Sequence, residues 1–351
     1  MGMHEAEFPA VAPRRGPIRI LFTCVGRRVE LLTAFRESAA RIHRRLVCYG
    51  TDRTWLAPAM HHVDRAELSP PIDSPKYIDF LLALARRERI HLVVPLIDSD
   101  LMALSLARSR FAAIGCTLLI SAPRVVAICR DKMLSHLHLR GAKIDTPDTW
   151  TLEAALARRG LKYPVYLKPR AGSATRGHFL AADRAALREL ARLVPDPIVQ
   201  EHLVGEEYTL DAYAAFDGRC RCIVPRLRIE VRSGEVSKGL VVKDRAVMAV
   251  GRRVVESLGD CVGVITIQCI RTVSGRIRVI EINPRFGGGV PLAIHAGADF
   301  PRWILESLTG RTPRLSADRF TDGLLLLRYD SAVLCAARGG PTRRPTVRRR
   351  S

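Results

Sequence analysis

Short apolar runs alternate with amphipathic segments over residues 18–120, and this alternation restricts the folds open to the chain. The predicted strands are residues 18–24, 46–51, 91–96 and 117–120. The predicted helices between them are residues 28–40, 77–87 and 101–108. Because parallel strands need crossover helices, this order predicts a doubly wound α/β sheet.

The pattern changes near residue 130, where strands begin to follow one another across short turns. Predicted strands 264–271 and 277–283 are joined at Ser274-Gly275, which is a hairpin signal. An α+β domain is therefore expected after a boundary near residues 125–130. The expected parts are an N-terminal extension, an α/β domain, an α+β domain with a lid lobe at about 145–203, and a C-terminal segment: residues 1–16, 17–125, 126–312 and 313–351.

The composition indicates a globular protein, with 48% hydrophobic and 26% charged residues. No apolar run reaches the ~18–20 residues that a membrane helix needs, and residues 1–16 lack the apolar core of a signal peptide. We therefore expect a soluble protein that makes no membrane contact and resides in the cytoplasm.

The net charge of +21 keeps a nucleic-acid-binding protein open as an alternative, because basic surfaces attract phosphate backbones. Aromatic residues make up only 6% of the chain, which leaves few platforms for base stacking. We therefore expect no nucleic-acid partner. Near the C-terminus, arginines occur among Gly and Pro without an acid, which predicts a disordered tail. These arginines are Arg338, Arg343, Arg344, Arg348, Arg349 and Arg350.

A phosphate-binding segment is predicted around Lys168, which ends an apolar run and precedes a loop of small residues. A lysine at the end of a strand is a fixed point charge. Glycines in the loop let backbone N–H groups approach an anion closely. The loop includes Gly172, Ser173 and Gly177. The arrangement suits a triphosphate, and an ordinary surface turn is the alternative.

Two acids follow on either side of a turn at Gly205. Glu201 ends one predicted strand and Glu207 begins the next, so both can face a common cleft. There Glu201 can accept a hydrogen bond from an adenine amino group, and Glu207 can accept from ribose hydroxyls. Solvated acids around a turn are the alternative.

The segment Glu281-Ile282-Asn283-Pro284-Arg285, followed by three glycines, carries the most specific signal. Residues 281 and 283 lie two apart on a strand and therefore point to one face. Their carboxylate and amide oxygens suit Mg²⁺ bridging phosphates. Gln268 on the paired strand can join the same face, and Arg285 can neutralise a transferring phosphoryl group.

In this order and spacing the three segments resemble the ATP-grasp superfamily, and within it one synthetase half of the large subunit of carbamoyl-phosphate synthase and its stand-alone carboxylate–amine ligase relatives. The resemblance runs from about residue 18 to 310. It implies a Rossmann-like preliminary domain followed by an α+β ATP-grasp domain whose two lobes clasp ATP. It also implies ATP and Mg²⁺ or Mn²⁺ as cofactors.

The resemblance assigns roles to individual residues of this chain. Lys132 and Lys168 correspond to phosphate-binding lysines, and residues 172–177 to the lid loop. Glu201 and Leu203 correspond to the adenine hinge, Glu207 to the ribose contact, Arg285 to a phosphate contact, and Gln268, Glu281 and Asn283 to the metal ligands. Many relatives have an acid at the position of Gln268, so the number of metal ions stays open.

Substrate contacts are predicted on the acceptor side of the cleft. Arg226, Arg228 and Lys238 lie on or after the strand expected to line it and can hold a carboxylate or phosphate, with plain surface charge as the alternative. Asp98 and Asp100 follow a predicted strand at its carboxyl end, where open sheets bind ligands, and can meet a substrate amine.

The predicted activity is that of an ADP-forming ligase. It would phosphorylate a carboxylate with ATP and pass the acyl group to an amine, giving an amide or peptide bond. Small, amino-acid-like substrates are expected, and a homodimer stays open. A carbamoyl-phosphate-synthase-like kinase of bicarbonate or carbamate is the alternative enzyme, but that chemistry in the relative uses two synthetase halves and an ammonia source.

Overall fold

The computed structural model describes residues 12, 16–172, 177–232, 234–313, 315, 319–336 and 346–347. Nearly all of the N-terminal extension and all six arginines of the predicted tail lie outside the described residues, as does Ser173. In the described ranges no helix combines the length and the apolar character needed to cross a membrane.

The first part of the chain forms a parallel five-stranded sheet, which confirms the predicted doubly wound α/β fold. Its strand order is β3-β2-β1-β4-β5. The strands are β1 (Ile18–Thr23), β2 (Leu46–Asp52), β3 (Arg65–Leu68), β4 (Leu92–Pro95) and β5 (Thr117–Leu118). Strands β1 and β4 are almost entirely buried because helices cover both faces of a parallel sheet.

Helices connect these strands and lead into the next part of the chain. They are α1 (Val29–Arg41), a 3-10 helix (Pro58–His61), α2 (Tyr77–Glu88), α3 (Leu101–Leu106), α4 (Arg108–Ala112), α5 (Pro123–Arg130) and α6 (Lys132–Gly141). The sequence predicted one helix over 101–108, whereas the structure has α3 and α4 in that region. Strand β3 was missed, because its half-exposed residues do not form an apolar run.

A small antiparallel sheet follows, with strand order β6-β9-β7-β8. Its strands are β6 (Thr149–Thr151), β7 (Val165–Pro169), β8 (Phe179–Ala181) and β9 (Pro197–Glu201). Helices α7 (Leu152–Ala157) and α8 (Arg184–Ala191) pack on it around Leu167 and Leu187. This unit, called the lid sheet below, carries Lys168 at the end of β7.

The largest sheet has six antiparallel strands in the order β14-β13-β10-β11-β12-β15 and is called the central sheet below. They are β10 (Gly205–Ala214), β11 (Cys220–Arg232), β12 (Glu235–Val241), β13 (Gly263–Thr272), β14 (Ile277–Asn283) and β15 (Leu325–Leu327). The associated helices are α9 (Arg245–Leu258), α10 (Val290–His295) and α11 (Phe300–Leu308). The predicted hairpin of β13 and β14 is present, whereas β12 and β15 were not predicted. Two further short strands, β16 (Cys335–Ala336) and β17 (Thr346–Val347), form a separate antiparallel pair.

The N-terminal sheet packs directly against the central sheet region through one shared hydrophobic core. Phe35 of α1 lies between Phe22 and Phe286, with ring centroids 5.1 Å and 5.9 Å apart and the rings edge to face. In the same contact, the buried Ser38 donates a hydrogen bond from Oγ to Asp299 Oδ1 at 2.6 Å. Phe286 follows Arg285, so this packing brings the N-terminal domain next to the predicted phosphate site.

Candidate active site

A cavity of about 490 Å³ lies between the lid sheet and the central sheet, within the range of small-molecule sites. Three further parts of the chain complete its wall: the start of α6, the glycines after β14, and residues of the N-terminal domain. Most of the residues predicted to bind nucleotide, metal or substrate line this one cavity. They are Asp98, Lys132, Lys168, Gly172, Glu201, Leu203, Glu207, Arg226, Gln268, Glu281, Asn283 and Arg285.

One end of the cavity contains the predicted adenine and ribose contacts. Leu203 lies in the short connection between β9 and β10, with Glu201 and Glu207 on either side. The carboxylate of Glu201 is held 2.7 Å from Arg278 Nη1, and Arg278 Nε also donates to Asp145 Oδ1 at 3.1 Å. This network fixes the connection against the central sheet.

Glu207 projects from β10 toward Arg228, with 3.3 Å between Oε1 and Nε. Burial raises the pKa of Glu207, and the charge of Arg228 acts in the opposite direction. Its carboxylate remains at the cavity wall, where an acceptor for ribose hydroxyls is expected.

The two lysines lie in one buried cationic pocket. Lys132 is 8% exposed and Lys168 is 4% exposed. Lys132 begins α6, where Asp131 caps the helix by accepting from Met133 N, and its Nζ donates to the carbonyl of Gly172 at 2.9 Å. Burial lowers the pKa of Lys168 to about 8, with Lys132 acting in the same direction and Glu281 against it. Two ammonium groups that are buried in one pocket are suited to binding a polyphosphate.

The predicted metal ligands meet on one face of the β13–β14 pair. Gln268 lies directly opposite Glu281 in the strand register, and Asn283 Nδ2 donates to Glu281 Oε1 at 3.1 Å. Burial acts to raise the pKa of Glu281, but the nearby Lys132 and Lys168 charges outweigh it and hold the pKa below its usual value. Glu281 is therefore a charged carboxylate at neutral pH.

This donor set fits Mg²⁺ that is shared with phosphates. Within the described ranges, no group of three or more His, Cys, Asp or Glu side chains is placed to hold a metal ion. Glu281 supplies one carboxylate, and Gln268 and Asn283 supply amide oxygens. Mg²⁺ retains waters and relies on substrate phosphates, so a set of this size matches a metal that arrives with nucleotide.

Arg285 is held at the junction of the two domains. Its Nη2 lies 2.6 Å from Asp98 Oδ2, and its Nη1 donates to the carbonyl of Phe286 at 3.2 Å. Its Nε is buried without an acceptor among the described residues. Asp98 therefore reaches the cleft from the end of β4, as predicted from its position, and is paired with the arginine expected to contact phosphate.

Asp100, by contrast, lies away from the cleft. It is fully buried and accepts from Thr23 Oγ1 at 2.7 Å and from Tyr77 Oη at 3.1 Å. Burial raises its pKa to about 6 against the effect of these hydrogen bonds. Its surroundings are those of an internal network, so the predicted meeting with a substrate amine applies to Asp98 alone.

The three cations predicted on the acceptor side have different surroundings. Arg228 lines the cavity and is paired with Glu207, as described above. Arg226 is 1% exposed and pairs with buried Asp211, with 2.6 Å between Nε and Oδ2, so it is no plain surface charge. Lys238 is exposed, lies 2.7 Å from Glu230 and does not line the cavity, which corrects its predicted place in the cleft. Its neighbour Gly239 pairs with the cavity-lining Arg228, so strand alternation directs Lys238 to the opposite face, where it pairs with Glu230.

Several wall residues were missed by sequence reasoning. His178 at the start of β8 faces Tyr166, with 3.3 Å between Nδ1 and Oη. Burial and then the Lys168 and Lys132 charges lower the pKa of His178 to about 4. Arg28, just before α1, also lines the cavity. The available signal was its position in Gly26-Arg27-Arg28 after the first strand.

A second cavity of about 260 Å³ adjoins the first. The two cavities share five wall residues, Asp98, Lys132, Gly172, Glu281 and Asn283. The predicted phosphate and metal groups therefore lie between two spaces, an arrangement suited to transfer between a nucleotide and a second molecule.

Two family models match the chain. Residues 20–119 match the PylC-like, N-terminal domain, and residues 194–326 match an ATP-grasp family described as "ATP-grasp in the biosynthetic pathway with Ter operon". No curated protein sequence matches the chain.

Solved structures share the fold at low sequence identity. The biotin carboxylase domain of Hydrogenobacter thermophilus 2-oxoglutarate carboxylase, in complex with MgADP, ADP and bicarbonate, is 15% identical, with a TM-score of 0.71 over 89% of this chain and 74% of that chain. An L-amino acid ligase from Bacillus licheniformis is 19% identical, with a TM-score of 0.64 over 84% and 75%.

N5-Carboxyaminoimidazole synthetase from Staphylococcus aureus, complexed with ADP, is 14% identical, with a TM-score of 0.68 over 87% of this chain and 81% of that chain. The parallel N-terminal sheet, the two antiparallel sheets and the two family matches occur in one consistent order along the chain. The chain is therefore an ATP-grasp enzyme with a PylC-like N-terminal domain, of the ADP-forming ligase class.

Proposed function

We propose that this enzyme joins a carboxylic acid to an amine in an amide or peptide bond, through an acyl phosphate and with release of ADP and phosphate. The observation that carries the proposal is the convergence of Lys132, Lys168, Glu281, Asn283 and Arg285 at the wall of the first cavity, where Lys132, Glu281 and Asn283 also border the second. One cavity has the acids and the connecting segment suited to a nucleoside. The rest of that cavity and the second cavity leave room for a second molecule beside the phosphates.

In the first step, a carboxylate oxygen of the acid attacks the γ-phosphorus of ATP, and the bond to the bridging oxygen of ADP breaks. Positioning and charge neutralisation account for most of the catalysis of phosphoryl transfer. Lys132 and Lys168 would hold the phosphates at a dry site, and Arg285 would contact the transferred group. A bound Mg²⁺, held by Gln268, Glu281 and Asn283, would supply further charge neutralisation.

In the second step, the amine nitrogen attacks the acyl carbon, phosphate leaves, and the nitrogen gives up a proton. Asp98 contacts Arg285 and borders both cavities. Its carboxylate would attract the ammonium form of the amine. The loop between Gly172 and Gly177 would limit the entry of water while the acyl phosphate exists.

The proposal is tested with hydroxylamine as a general amine. Purified enzyme, ATP and Mg²⁺ are incubated with single carboxylic acids and hydroxylamine, and both ADP and hydroxamate are measured. An acyl phosphate yields equal amounts of the two. Pairs of amino acids are then screened, and the product mass should equal acid plus amine less one water.

The same assay separates the alternative reactions. Formation of AMP and pyrophosphate would contradict the proposal, because it indicates an acyl adenylate. ADP release that requires bicarbonate and yields no hydroxamate from any acid would favour phosphorylation of bicarbonate or carbamate. We propose the cytoplasm as the location and small molecules as the substrates.

A further inference from the structure

The three glycines after Arg285 are packed tightly between two arginines from different parts of the chain. A β-carbon at Gly288 would lie 2.6 Å from Arg28 Nη1 and 2.8 Å from Glu235 Oε1. A β-carbon at Gly289 would lie 2.3 Å from Arg226 Nη1. A larger residue at either position would have to displace these side-chain ends, so the loop of residues 287–289 lies in close contact with Arg28 on one side and Arg226 on the other.

The guanidinium groups around this loop have more donors than acceptors. Arg226 Nη1 and Arg285 Nε are both buried without an acceptor among the described residues. Arg28 has one carboxylate near it, that of Glu235 at 3.4 Å, which also lies 3.2 Å from Arg328. Buried polar groups are normally hydrogen-bonded, and an unpaired one has an energetic cost. The unmet buried donors of Arg226 and Arg285, beside the partly exposed guanidinium of Arg28 at the same cavity wall, therefore indicate an anionic ligand.

The positive charges of the arginines around the loop of residues 287–289 repel one another. Burial lowers the pKa of Arg28, with Glu235 acting against this and Arg285 and Arg328 acting with it. Guanidinium groups nevertheless stay protonated in proteins, so the positive charge persists. An anion at the loop would relieve the repulsion. The side chain of Arg28 is 20% exposed, so it is the most accessible donor among Arg28, Arg226 and Arg285.

The position of the loop defines which part of a substrate it would meet. Glu281, Gln268, Thr209 and Arg226 lie in one row across four neighbouring strands. At a strand spacing of about 4.8 Å, the row covers about 14 Å from the metal ligand to the arginine. A small acid whose reacting carboxylate lies at the phosphates can thus extend another group toward the loop.

We infer that Arg28, together with the loop of residues 287–289 and its flanking Arg226, forms a subsite for a second, non-reacting anionic group, a carboxylate or phosphate, on a substrate of the ligase. The inference rests on the proposed function and narrows its substrate class. Arg28 is the direct contact, and Arg226 positions the loop from beneath.

The test uses enzyme saturated with Mg²⁺ and a non-hydrolysable ATP analogue, so that the phosphate sites are filled. Dicarboxylates from malonate to adipate, the monocarboxylates of equal length, and inorganic phosphate are titrated by calorimetry. Arg28→Gln is compared with Arg27→Gln, a matched control because Arg27 is the exposed neighbour and does not line the cavity. Gly288→Ala keeps every charge while crowding Arg28.

At least one dianion should bind the wild type more tightly than its matched monoanion. Loss of a charge-assisted contact predicts an affinity about 10- to 100-fold lower in Arg28→Gln, and a smaller loss in Gly288→Ala. Arg27→Gln should bind like the wild type, and all variants should bind the nucleotide analogue equally.

In a separate assay with ATP in place of the analogue, hydroxylamine then identifies the source of the anion. Hydroxamate formed from the bound dicarboxylate assigns the group to the acid, whereas binding of aspartate or glutamate without hydroxamate assigns it to the amine substrate. Equal affinity of Arg28→Gln and Arg27→Gln for every probe would overturn the subsite while leaving the ligase proposal intact. Failure of the wild type to bind the nucleotide analogue would instead contradict the proposed function itself.

Discussion

Replacing Lys168 with methionine should make the nucleotide-free protein more stable while removing its activity. The methionine side chain keeps a similar length and apolar volume but carries no charge. In the wild type the ammonium group is 4% exposed, and burial is the main reason that the pKa of Lys168 falls to about 8. A buried cation of this kind is expected to serve a ligand at the expense of the stability of the free protein.

The magnitude follows from the difference between the ordinary lysine pKa of 10.5 and the value of about 8 in the fold. At about 1.4 kcal/mol per pH unit, the buried charge costs about 3 kcal/mol at pH 7. Glu281 loses one of its two neighbouring lysines in the variant, which offsets part of the gain. The free energy of unfolding should therefore rise by about 1–3 kcal/mol at pH 7.

The sign of the pH dependence is fixed by the same values. Because the pKa is lowered in the fold, the unfolded chain holds the Lys168 proton more tightly between pH 8 and pH 10.5. Wild-type stability should increase with pH over this window, relative to the variant. The advantage of Lys168→Met should therefore be complete below about pH 8 and vanish near pH 10.5.

Urea unfolding of the nucleotide-free proteins at several pH values measures the stability, with Lys162→Met as a control at an exposed lysine that precedes the same strand. ADP release should fall by roughly 10²–10³-fold in Lys168→Met, the usual effect of losing one contact to the developing charge. Near-normal turnover would refute the role of Lys168. A variant less stable than the wild type at pH 7 would refute the electrostatic argument.

Three further predictions concern the metal, the buried ion pair and the tail. Glu281→Gln should abolish magnesium-dependent binding of an ATP analogue, whereas Gln268→Glu should retain it; equal binding by both variants in a magnesium titration would show that the metal binds elsewhere. Asp211→Asn leaves Arg226 buried without its carboxylate and should lower the free energy of unfolding by about 3–5 kcal/mol, as measured in urea; a loss near zero would show that the pair is solvated. Removing the chain from Arg338 onward should leave turnover unchanged and weaken salt-sensitive retention on heparin; lost turnover would place the tail at the active site.

The positions of Glu281 and Asn283 could be predicted from sequence because these residues share a face through the two-residue period of a strand. Gln268 comes opposite Glu281 only through a register shift between Gln268 and Cys269, because the pairing nearer the turn, with Cys269 opposite Val279, would place Ile280 there. Lys168 lies at the end of an apolar strand of ordinary length. None of these positions depends on how distant parts of the chain pack.

The acceptor side depends on features with no local signal. Lys238 was predicted in the cleft, but Gly239 lies opposite the cavity-lining Arg228, and Lys238 pairs with Glu230 on the other face. Arg226 lies beside Asp211 because of the register between β10 and β11. The sequence does not specify this register residue by residue. The division of the region 101–108 into two helices was not predicted, because an apolar pattern does not show where one helix ends and the next begins.

The contrast between the two sides has a physical consequence for specificity. The nucleotide side is built from neighbouring strands of the same sheets, whereas Arg28 and Asp98 reach the cleft because Phe35 packs on Phe286. That contact fixes the distance between the N-terminal domain and Arg285. Under the proposed function, substitutions on the N-terminal side would change the substrate without disturbing the proposed phosphate contacts, because acceptor pockets vary on one scaffold. The shared fold at 15% identity, with a TM-score of 0.71, is consistent with a structural frame that tolerates such change.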